Sequence, residues 1–145
     1  MKISTKGRYA LRLMIDLAEH REEGYISLKD ISKRQEISKK YLEQIIAIVN
    51  RPDILRANRG VQGGYKLAKS PSQYTVGDIL RMTEGSLSPV DCVDQDPIEC
   101  PHSADCATLP IWRNLSKIIN EYLDSVTLQD IVDQHEASAA DNYVI

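Results

Sequence analysis

Two short helical segments, one directly after the other, constrain the fold of this chain more than any other feature of its sequence. Ser27 begins Ser-Leu-Lys-Asp, a variant of the helix capping box, and a second helix start follows eleven residues later at Ser38. The first segment runs to about Arg34, and Gln35-Glu36-Ile37 joins it to the second. Segments of this length and spacing predict a helix-turn-helix, a motif whose second helix enters the major groove of DNA.

The second segment has two chemically distinct faces. Its apolar residues repeat at helical spacing along one side: Leu42, Ile45, Ile46 and Val49. On the opposite side, a second set repeats at i, i+3, i+4 and i+7: Lys40, Glu43, Gln44 and Ala47. The apolar face predicts burial in a core. The exposed face near the amino end is the one that reads bases in a helix-turn-helix.

A glycine-rich hairpin is predicted next. Residues 54–58 and 65–68 form its strands, and Arg59-Gly60-Val61-Gln62-Gly63-Gly64 forms its turn. Three glycines supply the positive backbone angles of a tight turn, and basic residues flank the turn on both strands. This pattern predicts the wing of a winged helix-turn-helix. It does not favour a nucleotide P-loop, because the turn lacks the Gly-Lys-Ser/Thr ending and opens no helix.

The rest of the sequence is mostly helical in pattern, so we predict a mainly α protein of the α+β class. Residues from about 5 to 19 predict a buried helix, Thr75-x-x-Asp78 caps a short helix, and Pro110 begins a long one. The apolar residues of the long helix have near-heptad spacing: Ile111, Leu115, Ile118, Tyr122 and Val126. We expect this stripe to pair with its copy in a second subunit. The alternative is that the helix folds back on its own domain.

We divide the chain into four parts. Residues 1–85 form the winged helix-turn-helix domain, 86–109 a cysteine-containing loop, 110–133 a dimerisation helix with a short following helix, and 134–145 a flexible tail. The charge is also distributed unevenly along the chain. Residues 1–85 carry 16 Lys and Arg and 10 Asp and Glu, whereas residues 86–145 carry 2 Lys and Arg and 11 Asp and Glu. A basic first part and an acidic second part indicate that the first binds a polyanion.

Three cysteines lie within fifteen consecutive positions, as Cys92-x7-Cys100-x5-Cys106, in a loop without Lys or Arg. An odd number of thiols cannot pair completely within one chain, and thiolates are soft ligands for zinc, copper(I) and iron-sulfur clusters. Structural zinc sites use tighter spacing, so we expect an iron-sulfur cluster rather than zinc or three unrelated thiols. Because the surrounding residues are acidic, we expect raised pKa values for the free thiols.

Sequence features of secreted, membrane and catalytic proteins are not found. No stretch is apolar for long enough to form a signal peptide or a membrane span, so we expect a cytoplasmic protein without a membrane partner. The histidines His20, His102 and His135 lie in separate segments, and no nucleophile and base have a recognisable spacing. We therefore expect no enzymatic activity and no small-molecule substrate.

Three motifs together resemble the IscR, NsrR, RirA and CymR family of bacterial winged-helix regulators. They are Met1-Lys2-Ile3-Ser4-Thr5-Lys6-Gly7-Arg8-Tyr9-Ala10, Tyr41-Leu42-Glu43-Gln44 and Arg59-Gly60-x-x-Gly63-Gly64-Tyr65-x-Leu67. The resemblance extends from residue 1 to about 133, and the three cysteines lie where the cluster-binding members keep theirs. It implies a homodimeric transcription factor, a repressor of iron-sulfur biogenesis or of iron or redox genes. Its binding to palindromic operators in double-stranded DNA would respond to an iron-sulfur cluster.

The resemblance also implies roles for particular residues. Glu43 and Gln44 would face bases and Arg59 would reach the minor groove. The expected DNA-binding residues are Ser38, Lys39, Lys40, Tyr41, Glu43, Gln44, Arg59 and Gly60. The expected cluster ligands are Cys92, Cys100 and Cys106, with [2Fe-2S] as the favoured cluster and [4Fe-4S] as the alternative.

Two departures from the family pattern leave the fourth ligand open. Proteobacterial biogenesis regulators place a histidine three residues after the third cysteine, where this chain has Leu109, and nitric-oxide-sensing members use an aspartate where it has Arg8. His102 is the first choice, because imidazole can replace a thiolate on iron. Other ligand candidates are Glu99, Ser103, Asp105, Thr108 and solvent. The alternative function is a winged-helix regulator without a cluster, controlled through thiols, zinc or a partner protein.

Overall fold

The computed structural model describes residues 1–143 of the chain. Within them, six α-helices and a two-stranded antiparallel sheet occur in this order: α1 Thr5–Glu19, α2 Leu28–Gln35, α3 Lys39–Val49, β1 Leu55–Asn58, β2 Gly64–Leu67, α4 Val76–Glu84, α5 Leu109–Ser125 and α6 Leu128–Tyr143. The predicted mainly α fold with a two-stranded wing is confirmed. In these 143 residues, no helix is both long enough and apolar enough to cross a bilayer.

Serine side chains set the starts of α2 and α3. Ser27 Oγ accepts a hydrogen bond from the amide of Asp30 at 3.2 Å, and Ser38 Oγ accepts one from the amide of Tyr41 at 3.1 Å. Such bonds satisfy first-turn amides that have no partner within the helix. Between the two helices, Glu36 adopts a left-handed backbone conformation with φ of 55°, which produces the tight turn. Both predicted helix starts are confirmed.

The main core forms between α1 and the apolar face of α3. The predicted stripe of α3 is buried throughout: Leu42, Ile45, Ile46 and Val49. Residues of α1 form the opposite side of this core: Ala10, Leu13, Met14 and Leu17. Burial of this apolar area, at about 25 cal/mol per Å², determines which face of α3 turns inward. The face that carries Lys40, Glu43 and Gln44 therefore stays in solvent.

The wing is an antiparallel pair, with Asn58 of β1 opposite Gly64 of β2. The prediction that all three turn glycines supply positive φ is wrong, because among them only Gly60 does, with φ of 122°. Close backbone approach explains the other two. A Cβ on Gly63 would lie 2.4 Å from the carbonyl oxygen of Asn58, and one on Gly64 would lie 2.2 Å from that of Ile26.

A buried tyrosine fastens the base of the wing to the domain. The Tyr74 hydroxyl donates to the carbonyl oxygen of Ile54 at 2.7 Å and accepts from the amides of Ala68 and Lys69 at 3.0 and 3.2 Å. Burial raises the pKa of Tyr74 above its ordinary value, so the hydroxyl keeps the proton that it donates. These bonds hold the residues before β1 and after β2 together.

The long helix α5 has two apolar faces in different surroundings. It begins at Leu109, so the predicted first residue, Pro110, lies within its first turn. One face packs against the second core, which includes Val76 and Leu80 of α4, through the following residues: Ile119, Leu123 and the flanking Val126. The other face is exposed, with Ile111 at 56%, Leu115 at 38%, Ile118 at 61% and Tyr122 at 66%. The helix thus folds back on its own domain along one side only.

The expectation of a flexible tail over residues 134–145 is corrected for the secondary structure of residues 134–143. Helix α6 continues through this segment to Tyr143, whereas residues 144 and 145 lie outside the described part of the chain. Two features favour the continuation. His135 of α6 is hydrogen-bonded to the carboxylate of Glu19 in α1, and three alanines with high helix propensity follow it: Ala137, Ala139 and Ala140.

Candidate nucleic-acid interface and cysteine loop

The amino-terminal part of α3 presents the predicted DNA-binding residues to solvent. Ser38, Lys39, Lys40, Glu43 and Gln44 are all exposed, because the buried stripe holds the opposite face of the helix against α1. Two cations, a carboxylate and a carboxamide are therefore available in the first two turns. Side chains of this kind contact phosphates and the hydrogen-bonding edges of bases.

Tyr41 differs from its neighbours because it is half-buried. Its ring meets the ring of Tyr9 edge to face, with centroids 5.7 Å apart and an interplanar angle of 88°. The guanidinium of Arg12 lies 5.3 Å from the centroid of the Tyr9 ring. Contacts of this type stabilise modestly, by about 0.5 to 1.5 kcal/mol each. Tyr41 thereby braces the start of α3 against α1.

A buried carboxylate fixes the end of α2 to α1. Asp16 is fully buried and accepts two hydrogen bonds from the Arg34 guanidinium, at 2.7 and 3.0 Å, and one from Gln35 Nε2 at 3.0 Å. Hydrogen bonding to Asp16 raises the pKa of Arg34 further above its ordinary value. Asp16 is not among the residues that the sequence pattern predicts to be functional. Its signal is an ionisable residue among the apolar positions of the first helix, directly before Leu17.

The structure brings the wing residues close to the start of α3. Arg59 and Gly60 line a cleft of 360 Å³ together with Lys39 and with Lys29 of α2. Of the predicted DNA-binding residues, Lys39 of α3 and Arg59 and Gly60 of the wing thus share one cleft. This arrangement is the one expected of a winged helix on DNA, in which α3 occupies the major groove and the wing lies beside it.

The three cysteines are free thiols in the loop between α4 and α5. Cys92 and Cys106 are exposed and Cys100 is half-buried. His102 is exposed in a turn in which its carbonyl accepts from the amide of Asp105 at 3.1 Å. Across residues 1–143, no three His, Cys, Asp or Glu side chains are close enough together to hold a metal ion. The predicted ligands share one loop but are not gathered at one point.

The expectation of raised thiol pKa values is wrong for Cys106. Hydrogen bonding to the Thr108 hydroxyl, 3.4 Å away, lowers the pKa of Cys106 below its ordinary value, and the amides of Thr108 and Leu109 contribute in the same direction. These groups stand at the start of α5, where amides without helical partners favour a negative charge. Local hydrogen bonds therefore outweigh the acidic composition of the loop at this position.

The cysteine loop also lies close to the side-chain contact between helices α4 and α5. Arg81 of α4 donates to both carboxylate oxygens of Asp124, at 2.7 and 2.9 Å, and to Asn120 Oδ1 at 2.8 Å. Hydrogen bonding by Arg81 lowers the pKa of Asp124. Val93 and Asp94 of the loop line a cavity of 250 Å³ together with Arg81 and Asn120. The cysteine loop thus lies beside the contact between Arg81 of α4 and Asn120 of α5.

The comparison with known families agrees with this architecture. The sequence model for Rrf2, described as an iron-dependent transcriptional regulator, matches residues 3–134. The chain belongs to the Rrf2 family. This Rrf2-family protein is therefore a DNA-binding helix-turn-helix transcriptional regulator, and the expectation that it is not an enzyme is confirmed.

Individual relatives support the same assignment. The HTH-type transcriptional regulator CymR of Bacillus subtilis is 40% identical over 132 residues, which cover 90% of this chain and 89% of CymR. IscR of Pectobacterium carotovorum is 36% identical over 136 residues, or 94% of this chain and 82% of that protein. The solved structure of IscR from T. potens matches with a TM-score of 0.76 and 40% identity, covering 95% of this chain and 90% of the IscR chain.

Proposed function

We propose that this Rrf2-family regulator represses genes of iron-sulfur biogenesis, iron or redox metabolism, and that its cysteine loop holds an iron-sulfur cluster that controls DNA binding. The observation that carries the proposal is the set of three free thiols in one short loop, next to the contact between α4 and α5. The description of the family as iron-dependent supports the same assignment. We place the protein in the cytoplasm, where reducing conditions keep thiols available as ligands.

The donor atoms of the loop suit such a cluster. Cys92, Cys100 and Cys106 supply thiolate sulfur, the ligand type that holds iron-sulfur clusters, and His102 is the proposed fourth ligand. We favour a [2Fe-2S] cluster, with [4Fe-4S] as the alternative. The bound cluster would supply a centre whose presence depends on iron and sulfide. Because the described side chains are not gathered, the loop must rearrange for its four ligands to converge.

A rearrangement of the cysteine loop can change the position of the DNA-binding domain through the contact between α4 and α5. Val93 and Asp94 line the same cavity as Arg81 and Asn120, whose hydrogen bond joins α4 to α5. A loop that moves changes the packing around this pair and hence the angle between the first domain and α5. In a dimer held by α5, that angle sets the separation of the two α3 helices.

A second copy of the chain is the proposed occupant of the exposed face of α5. Four large apolar side chains lie exposed on this one face: Ile111, Leu115, Ile118 and Tyr122. An apolar stripe with near-heptad spacing is suited to packing against an identical helix about a two-fold axis. Two α3 helices related by this axis would contact two half-sites of a palindromic operator.

A thiol-responsive regulator without a cluster is the second candidate. Cys106 is exposed and has a lowered pKa, and the thiolate is the form that reacts with oxidants and disulfides. CymR, a relative of this chain, is described as the global cysteine regulator of B. subtilis. Control by zinc or by a partner protein would likewise need no cluster.

Spectroscopy on anaerobically purified protein separates the two candidates. We expect visible absorption and bound iron and sulfide in the unmodified protein, and loss of the absorption in each of Cys92→Ala, Cys100→Ala and Cys106→Ala. His102→Ala should weaken the absorption, and Gln95→Ala in the same loop should leave it unchanged. A colourless protein with reactive thiols would favour the second candidate. A triple alanine variant that still binds iron and sulfide fully would contradict the ligand assignment.

Base reading by α3 predicts a sequence-specific defect for Gln44→Ala. The exposed carboxamide of Gln44 can make two hydrogen bonds to one base edge, so its removal should cost about 1 to 3 kcal/mol on the operator. The loss on random DNA should be much smaller. Fluorescence anisotropy titrations on both DNAs measure the difference, with Gln134→Ala on the exposed part of α6 as control. Equal losses on operator and random DNA would remove Gln44 from base reading.

A further inference from the structure

The cleft between the wing and the two helix starts has an uneven charge. Its volume is 360 Å³, and three cations line it: Lys29, Lys39 and Arg59. The remaining lining residues include Asn50, Asn58 and Tyr65, and no carboxylate is among those that the structure describes there. Three positive side chains around one concave space attract an anion, and nothing on its walls offsets their charge.

Backbone pairing holds the walls of the cleft in place. The amide of Ile26 donates to the carbonyl oxygen of Tyr65 and the amide of Tyr65 donates to that of Ile26, both at 2.9 Å. These bonds attach the residue before the Ser27 cap to strand β2. Gly64 permits the close approach, because a Cβ there would lie 2.2 Å from the Ile26 carbonyl oxygen. The start of α2 and the wing are therefore fixed relative to each other.

The position of the cleft between α3 and the wing indicates which anion it would bind. Each sugar-phosphate strand of duplex DNA separates a major groove from a minor groove. If α3 lies in the major groove and the wing in the adjacent minor groove, the strand between these grooves must cross the space between α3 and the wing. That space is the cleft that Lys39 of α3 and Arg59 of the wing line together.

We propose that this cleft seats the DNA backbone between the two grooves, and that Lys29 of α2 contacts a phosphate there. The inference rests on the proposed placement of α3 and the wing on DNA. It adds to the interface a residue outside both elements. A phosphate contact positions the protein without distinguishing sequences, so Lys29 contributes equally to operator and random DNA.

The salt dependence of binding tests the proposal. Each phosphate contact contributes about 0.9 to the slope of log affinity against log salt concentration. For Lys29→Ala we expect this slope to fall by that amount on operator and on random DNA. The affinity advantage of the unmodified protein should accordingly shrink about 3.5-fold between 50 and 200 mM salt. Lys29→Arg should restore the slope, because arginine restores the positive charge at this position.

Two further variants make the outcome specific. Lys117→Ala removes the same charge from α5, where Lys117 pairs with Glu121 at 3.8 Å, and should leave the slope unchanged. An unchanged slope for Lys29→Ala, or a loss confined to the operator, would overturn the proposal. If Gln44→Ala loses discrimination while Lys29→Ala behaves like the unmodified protein, the cleft assignment fails and base reading stands. If Gln44→Ala loses none, the proposed docking itself fails.

Discussion

Monomers are the expected product of a Leu115→Lys, Ile118→Lys double substitution in α5. Both side chains belong to the exposed apolar stripe, with exposed fractions of 38% and 61%. In a paired helix they would be buried, and an unpaired charge in such a seam costs several kcal/mol. Two lysines from each subunit would meet at the two-fold axis. Sedimentation at micromolar protein concentration measures the change in mass.

A charge-matched control distinguishes the effect of placing charges in the apolar stripe of α5 from the effect of a higher net charge. Glu121→Gln with Glu136→Gln raises the net charge by the same two units at exposed positions outside the stripe, and should leave a dimer. The monomeric lysine variant should also bind a palindromic operator poorly, because its two half-sites are no longer bound as a unit. An intact dimer of the lysine variant would place the interface elsewhere.

A loss of about 3 kcal/mol in the free energy of unfolding is expected for Arg34→Ala, as for a broken buried ion pair. Asp16 is fully buried and the Arg34 side chain is 33% exposed, so removal of Arg34 takes away two of the three side-chain hydrogen bonds to a buried carboxylate. Gln35 alone cannot supply both of the missing hydrogen bonds. Arg34→Lys should recover only part of the loss, because lysine lacks the planar fork that binds both oxygens.

Urea unfolding measures this effect, and Lys33→Ala is its matched control. Lys33 is the preceding residue of α2 and is exposed, so its replacement should change the free energy of unfolding by less than about 0.5 kcal/mol. Equal effects of the two alanine variants would show that Asp16 does not depend on Arg34. Because Arg34 lies at the end of α2, we also expect Arg34→Ala to weaken operator binding.

Local chemistry explains which parts of the fold the sequence predicted. The starts of α2 and α3 depend on Ser27 and Ser38, whose hydroxyls bond to amides only three residues ahead. The buried stripe of α3 depends on helical spacing alone. Each of these features depends only on residues within a stretch of about twenty positions. The sequence of that stretch is therefore enough to predict it. They were sufficient to predict a winged helix-turn-helix and the exposed face that carries Gln44.

Long-range contacts explain what the sequence did not predict. Asp16 and Arg34 lie eighteen positions apart, and Tyr74 reaches back twenty positions to Ile54, so their partners depend on the completed fold. The lowered pKa of Cys106 depends on where α5 begins, which composition does not reveal. The polar and alanine-rich composition of residues 134–145 is typical of a flexible tail. The helix there is favoured in part by the contact with Glu19, 116 positions away.

Operator affinity with and without the cluster ligands tests the central proposal most directly. The comparison is between anaerobically purified protein with its full complement of iron and sulfide and the Cys92→Ala, Cys100→Ala, Cys106→Ala variant, both confirmed as dimers. We expect their operator affinities to differ by about tenfold or more, within the usual range of coupling between two sites. Gln95→Ala should bind like the unmodified protein. Equal affinities of the cluster-loaded protein and the triple variant would contradict control of DNA binding through the cysteine loop.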